Sequence, residues 1–256
     1  MPDFVSSTDG TAIAYESVGE GPVLVLVGGA FSSRQSMRPL ADLLAPRFEV
    51  FVYDRRGRGD SGPTAWVSAE QQVDDLLAVA AVPGRAMVFG HSSGGVLALL
   101  AASESPAITR VAAYEPPLLT DGGADPTATS FAAELRALLE AGRSEDATVA
   151  WFTRTSGGRF DDGMRSLPWW PSLVAVAHSL PDERALVGDG HVPDRFQAIA
   201  VPTLLLHGGA SPAWAADSCA AVAATIRGAR VATVPDEGHI VRFEALVPVL
   251  EPFLGS

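Results

Sequence analysis

The ten residues Ala86-Met87-Val88-Phe89-Gly90-His91-Ser92-Ser93-Gly94-Gly95, with the small-residue run Val96 to Ala102 behind them, restrict this chain more than any other stretch. An apolar strand runs straight into Gly-x-Ser-x-Gly, and a helix begins at once. Such a bend puts Ser92 at its apex with the hydroxyl above the sheet. Gly90 and Gly94 are required because a side chain would collide across so tight a turn. The helix N-terminus beneath Ser92 favours negative charge developing above it. The pattern is weak by itself, and its bland alternative is a Ser-Gly turn. The strand before it and the helix after it give it weight.

The same alternation of strand and helix recurs along the chain. Thr11 to Ser17 alternates polar and apolar, as an early antiparallel strand does. Val23 to Val27, Glu49 to Tyr53, Arg85 to Phe89, Ile108 to Tyr114, Ile199 to His207 and Arg230 to Val234 are apolar runs of strand length, several of them β-branched as in strands buried on both faces. Helices are expected over Met37 to Leu44 with Ser36 as its cap, Ser68 to Ala81, Val96 to Ser103, Pro212 to Ile226 and Ile240 to Phe253. That order predicts an α/β fold with a mostly parallel central sheet flanked by helices. Thr120 to Arg195 breaks the pattern and reads as helices and loops, with helices over Thr129 to Ala141, Glu145 to Thr153 and part of Leu167 to His178. The expected organisation is a core over residues 1–117, a helical cap over 118–196 and a second part of the core over 197–256.

The 256 residues are 47% hydrophobic, enough for one large domain with an insertion. A formal charge of −12 offers nothing to grip phosphates, so neither nucleic acid nor an anionic membrane is an expected partner. No apolar run approaches the ~18 residues of a membrane span. Met1-Pro2-Asp3-Phe4 lacks the basic and apolar regions of a signal peptide, so a cytoplasmic location is expected. The one cysteine, Cys219, lies in an Ala-rich helix and reads as a packing residue. Gly57-Arg58-Gly59-Asp60-Ser61-Gly62 has the form of a dinucleotide fingerprint. Its glycines do not follow the strand directly, however, and Pro63 stands where the helix should run. It reads as a structural loop, and no cofactor or metal is expected.

The chain resembles the α/β-hydrolase superfamily, in its small, capped, cofactor-independent branch of esterases, lactonases and perhydrolases. The resemblance covers nearly the whole length outside the cap. It rests on Gly28-Gly29, Tyr53-Asp54-Arg55-Arg56-Gly57 with Gly59, the Ser92 bend, and Gly238-His239. It implies that Ser92 is a nucleophile and His239 its base, with an acid between them in chain order. His91, fixed in the bend and expected to point away from its apex, His207 at a strand end, and His178 and His191 in the cap are worse candidates for the base.

The acid departs from the family pattern. Most relatives carry Asp in the loop after the strand containing Leu204 to Leu206; here Gly208-Gly209-Ala210-Ser211-Pro212 has serine there. Some relatives, certain haloalkane dehalogenases among them, place the acid one strand earlier, where this chain has Glu115. A charge ending a buried strand is costly unless paired, so Glu115 is favoured over Asp217, Asp121 or no acid at all. The implied oxyanion hole uses the backbone N–H groups of Ala30 and Ser93. Phe31 is expected in the acyl pocket, and Trp151, Trp169 and Trp170 of the cap are candidates to line it. Asp54 and Arg55 are expected to brace their loop by ion pairs. The resulting expectation is a serine hydrolase acting on an ester or lactone of a small-molecule substrate, with a homodimer left open. A non-hydrolytic cyclase or lyase, or a ligand-binding protein on the same scaffold, stands as the alternative because the usual aspartate is missing. A serine nucleophile argues against dehalogenase and epoxide hydrolase chemistry.

Overall fold

Eight strands form one sheet: β1 (Asp3–Ser6), β2 (Ala12–Val18), β3 (Val23–Val27), β4 (Glu49–Tyr53), β5 (Ala86–His91), β6 (Ile108–Tyr114), β7 (Thr203–Gly208) and β8 (Arg230–Val234). The structure is a computed structural model describing residues 1–62, 66–118, 127–155 and 158–255. Pro63 and Asp121 lie outside the described residues. The strand order is β1-β2-β4-β3-β5-β6-β7-β8, antiparallel for the first two pairings and parallel from β4 to β8.

The continuous apolar runs of the inner strands follow from burial on both faces. In β3, Leu24 and Leu26 point to one side and Val25 and Val27 to the other. The first side packs on α1 (Arg34–Leu44) and α9 (Phe243–Leu254), through Met37, Leu40, Leu44, Leu246 and Leu250. The second packs on α2 (Ala69–Ala81), α3 (Ser93–Glu104) and α8 (Ala213–Thr225). Helix α3 is buried without a break from Ser93 to Ala102, which is why its sequence is small and apolar all round rather than amphipathic. Cys219 is a packing residue of α8: its thiol donates to the Leu206 carbonyl at 3.3 Å, and burial pushes its pKa up to about 12.

Between β6 and β7 the chain forms α4 (Ala128–Glu140), α5 (Ser144–Thr155), α6 (Trp170–Ala175) and α7 (Leu180–Val187), with short 3-10 turns between and after them. Phe131, Leu135, Ala147, Ala177 and Leu180 form a separate apolar cluster there, packed against Ala30 and Phe31 of the core. No helix among the described residues is long and apolar enough to cross a membrane.

Three of the departures from the expected elements bear on packing. Strand β1 has only four residues on the sheet edge and almost no buried face, so it leaves no alternation to read. Helix α1 starts three residues earlier than expected, capped by Ser33, and Ser36 closes the capping box from its third position. Its first residue, Arg34, is buried by charge rather than by apolarity: it pairs with Glu16, Asp54 and Asp60. Helix α7 shows no apolar stripe in the sequence because its inward face carries Asp182 and Glu183 beside Leu186 and Val187.

The Gly57 to Gly62 loop closes around the buried Asp54 carboxylate. Its Oδ1 and Oδ2 accept from the Arg34 and Asp60 N–H groups at 2.8 and 3.0 Å, and a Cβ at Gly59 (φ 51°) would strike it. The glycine at 59 is what lets the loop close so tightly on that carboxylate.

Candidate active site

The parallel sheet delivers the loops after β3, β5, β6, β7 and β8 to one edge, the carboxyl ends of the strands, where α/β sheets form their clefts. Ser92 sits there between β5 and α3, with φ 56° and ψ −127°. A non-glycine residue in this region carries about 1–3 kcal/mol of strain, sustained only if the surroundings fix it. They do. Its N–H donates to the Tyr114 carbonyl at 2.8 Å. A Cβ on Gly90 would overlap the Gly94 carbonyl, and one on Gly94 would overlap the Val27 and Gly28 carbonyls. The two glycines let the helix dock this close to the sheet.

His239 lies in the loop between β8 and α9. Its Nε2 is 3.2 Å from the Ser92 hydroxyl oxygen, and its Nδ1 is 2.7 Å from Glu115 Oε2. A ring that donates from Nδ1 to a carboxylate presents Nε2 as an acceptor. The loop is held from two strands: Tyr114 donates to the Gly238 carbonyl at 2.7 Å, and His91 Nε2 donates to the His239 carbonyl at 2.8 Å. The Trp214 ring stands 5.6 Å from that of His239.

Glu115 directly follows β6, has a left-handed φ of 46° and is fully buried. Its N–H donates to the Leu206 carbonyl at 2.8 Å. Oε1 accepts from the Gly208 N–H at 2.8 Å and from the Ser211 hydroxyl at 2.5 Å. Burial works to raise its pKa, but the bonds from His239, Ser211 and Gly208 outweigh it and hold the carboxyl below its ordinary value. Serine, at the position usual for the acid, is thus a donor to the carboxylate from the neighbouring strand. Asp217 is exposed on α8.

The other histidines have different partners. His178 bonds the Ala175 and Gly57 carbonyls, His191 pairs with Asp189, and His207 bonds Thr233. The His91 ring packs 5.1 Å from that of His239. Burial pushes its pKa down to about 4, with the His239 charge acting in the same direction. The adjacency of His91 to Ser92 was its only sequence signal.

The loop after β3 passes beside Ser92: a Cβ on Gly29 would lie 2.9 Å from the Ser92 Cβ. Ala30 is half-buried, Phe31 has φ 62°, and Ser93 is buried. Phe31 stacks on Phe152 at 5.3 Å and meets Trp151 edge-on at 6.3 Å. Trp151 packs on Phe131, and Phe152 on Trp170, whose indole N–H donates to Glu145 at 3.1 Å. Trp169 is 44% exposed. Asp54 and Arg55 form the expected ion pairs, with Arg34 and with Glu183 of α7. Glu183, fully buried, had no motif to announce it. Among the described residues, no group of three or more His, Cys, Asp or Glu side chains could hold a metal.

The chain is similar to a solved α/β hydrolase from Sphaerobacter thermophilus DSM 20745, at 45% identity and a TM-score of 0.89, covering 98% of this chain and 99% of that one. It is 33% identical over 109 residues to an N-formylmaleamate deformylase from Pseudomonas putida, an alignment covering 41% of each protein. It is 34% identical over 95 residues to a pimeloyl-[acyl-carrier protein] methyl ester esterase from Xanthomonas campestris pv. campestris, covering 37% of each. Both of these curated relatives are thus matched over less than half of their length. The model of the alpha/beta hydrolase family matches residues 24–250, and the chain belongs to that family.

Proposed function

We propose that this protein is a serine hydrolase that cleaves a carboxylic ester or lactone through an acyl-enzyme. The observation that carries the reading is the His239 ring, bonded at one nitrogen to the Ser92 hydroxyl and at the other to the buried Glu115 carboxylate. A free hydroxyl is a poor nucleophile at neutral pH; an imidazole acceptor 3.2 Å away can take its proton as it attacks. The attack forms a bond from Ser92 Oγ to the acyl carbon, and the carbonyl electron pair becomes an oxyanion facing the N–H groups of Ala30 and Ser93. His239 then protonates the leaving alkoxide. Water repeats the sequence against the acyl-enzyme, with His239 again as base and Ser92 as leaving group. Glu115 keeps Nδ1 protonated and stabilises the imidazolium.

The missing aspartate was the reason to keep a cyclase, a lyase or a ligand-binding protein in view. A carboxylate bonded to His239 from residue 115 supports the hydrolase reading over them. We assign residues 118–196 to a cap over the site, with 1–117 and 197–256 as the core. Phe31, Trp151, Trp169 and Trp170 are assigned to the substrate pocket. The aromatic contacts of Phe31 with Trp151 and Phe152 support an apolar acyl group. An ester substrate fits the relative named a methyl ester esterase.

Labelling with a fluorophosphonate tests the reading. The wild type should take up the label, Ser92→Ala should not, and a screen of p-nitrophenyl esters and simple lactones should show turnover with the same dependence on Ser92. An unlabelled, inactive wild type would sink it.

A further inference from the structure

Three charged side chains meet under the site with no part in proton transfer. Glu183 of α7 is fully buried, and Arg55 and Arg58, from the loop after β4, are nearly so. Both guanidiniums pair with the Glu183 carboxylate, Arg55 at 3.1 Å. The Ser93 hydroxyl donates to the same carboxylate. Arg58 Nη1 donates onward to the Gly29 carbonyl at 2.8 Å and the Ser32 carbonyl at 3.1 Å, and Arg55 Nη1 to the Gly28 carbonyl at 3.3 Å. Gln72 ties Arg55 to the backbone carbonyl of Asp182, whose carboxyl accepts from the Val67 N–H and is pushed up to about 6 by burial. Burial works to raise the Glu183 carboxyl as well, but the two arginines outweigh it and keep the group below its ordinary range.

Those contacts converge on two backbone units. The Gly29 carbonyl and the Ala30 N–H are opposite ends of one peptide plane, and the described chain has no cis peptide. A cation fixed on the carbonyl sets the direction of the N–H and polarises it as a donor. Ser93, whose N–H is the other proposed donor, is tied by its hydroxyl to the carboxylate that holds that cation. We propose that Glu183 and Arg58 are positioning residues for the oxyanion hole, so that a carboxylate from the helical segment between β6 and β7 aligns both of its donors. This rests on the acyl-enzyme reading above. The burial is otherwise poorly explained: apolar residues of the same volume fill such a space at least as well as a buried ion cluster does.

The test compares Glu183→Gln and Ser93→Ala with wild type on the p-nitrophenyl ester cleaved fastest and on its thionoester, whose sulfur is a weaker acceptor in the hole. Circular dichroism first establishes that each variant is folded at the assay temperature. For Glu183→Gln, kcat should fall about 10- to 100-fold with KM within about twofold, below the 10²–10³ lost when a hole donor is deleted outright. The wild-type preference for the oxygen ester should fall by a similar factor. Ser93→Ala, which keeps its N–H, should shift both readings the same way by about 3- to 10-fold and supplies the result if Glu183→Gln does not fold. An unchanged kcat, or a loss of kcat with the ester-to-thionoester ratio intact, overturns the positioning role alone. A Ser92→Ala variant that still turns over the ester overturns the acyl-enzyme reading and this role with it.

Discussion

The Ser211 hydroxyl donates to Glu115 Oε1 at 2.5 Å, on the carboxylate whose other oxygen faces His239. Position 211 therefore supports the proposed acid without supplying it. Glu115→Gln should lower kcat by about 10⁴, because the amide can neither hold the Nδ1 tautomer nor balance the imidazolium. Ser211→Ala should cost only about tenfold, since the Gly208 N–H still bonds the carboxylate. The double variant Glu115→Gln/Ser211→Asp should recover part of the loss. Steady-state kinetics on one ester decides among these, and a Ser211→Ala defect as deep as that of Glu115→Gln would contradict the division of roles.

Activity should follow the protonation of a single imidazole. Only neutral His239 accepts the Ser92 proton, so kcat/KM should rise with pH through one ionisation. Glu115 is held below its ordinary carboxyl value of 4.5 and stays charged across that rise. Its contribution to stability is present above about pH 4.5 and is lost as pH falls through its lowered folded value. A limiting slope of two protons in log(kcat/KM) against pH would show that Glu115 titrates alongside the ring.

His91 predicts a separate pH effect, on stability. Its pKa falls from 6.5 to about 4 on burial, so between those values the unfolded chain binds the proton and the folded chain does not. Stability therefore drops as pH is lowered from about 6.5 to 4, by a few kcal/mol at most. His91→Gln should flatten the Tm-against-pH curve in that window and, by loosening the His239 carbonyl, lower kcat about 3- to 10-fold. Thermal melts of both proteins from pH 4 to 7 would read this out, and parallel curves would count against it.

Gly94→Ala tests the bend itself. The added methyl would overlap the Val27 and Gly28 carbonyls, backbone atoms of a central strand end that cannot swing aside. A loss of at least about 3 kcal/mol is expected, enough to deplete folded protein in urea unfolding. Gly142→Ala is the control for a neutral outcome in space: a Cβ there meets nothing within 4 Å, and only its φ of 72° opposes the change, at about 1 kcal/mol.

Local chemistry made much of this protein legible from its residues. Burial on both faces forces parallel strands into unbroken apolar runs, so β3 to β7 stand out, and the sharp bend at Ser92 can be made only with Gly90 and Gly94 around it. The swap of Ser211 for the usual aspartate pointed to Glu115, because a carboxylate ending a buried strand needs a partner. Periodicity could not find what charge buries. Arg34 begins α1 through three carboxylates, and α7 hides its face behind Asp182 and Glu183. The contacts that tie the site together are also distant in sequence: Glu115 meets His239 across 124 positions, Arg58 meets Glu183 across 125, and Ser93 meets Glu183 across 90. Spacing along a strand or helix carries information over a few residues. Which carboxylate reaches which ring, and that His91 lies against His239, were decided only when the sheet brought its strand ends to one edge.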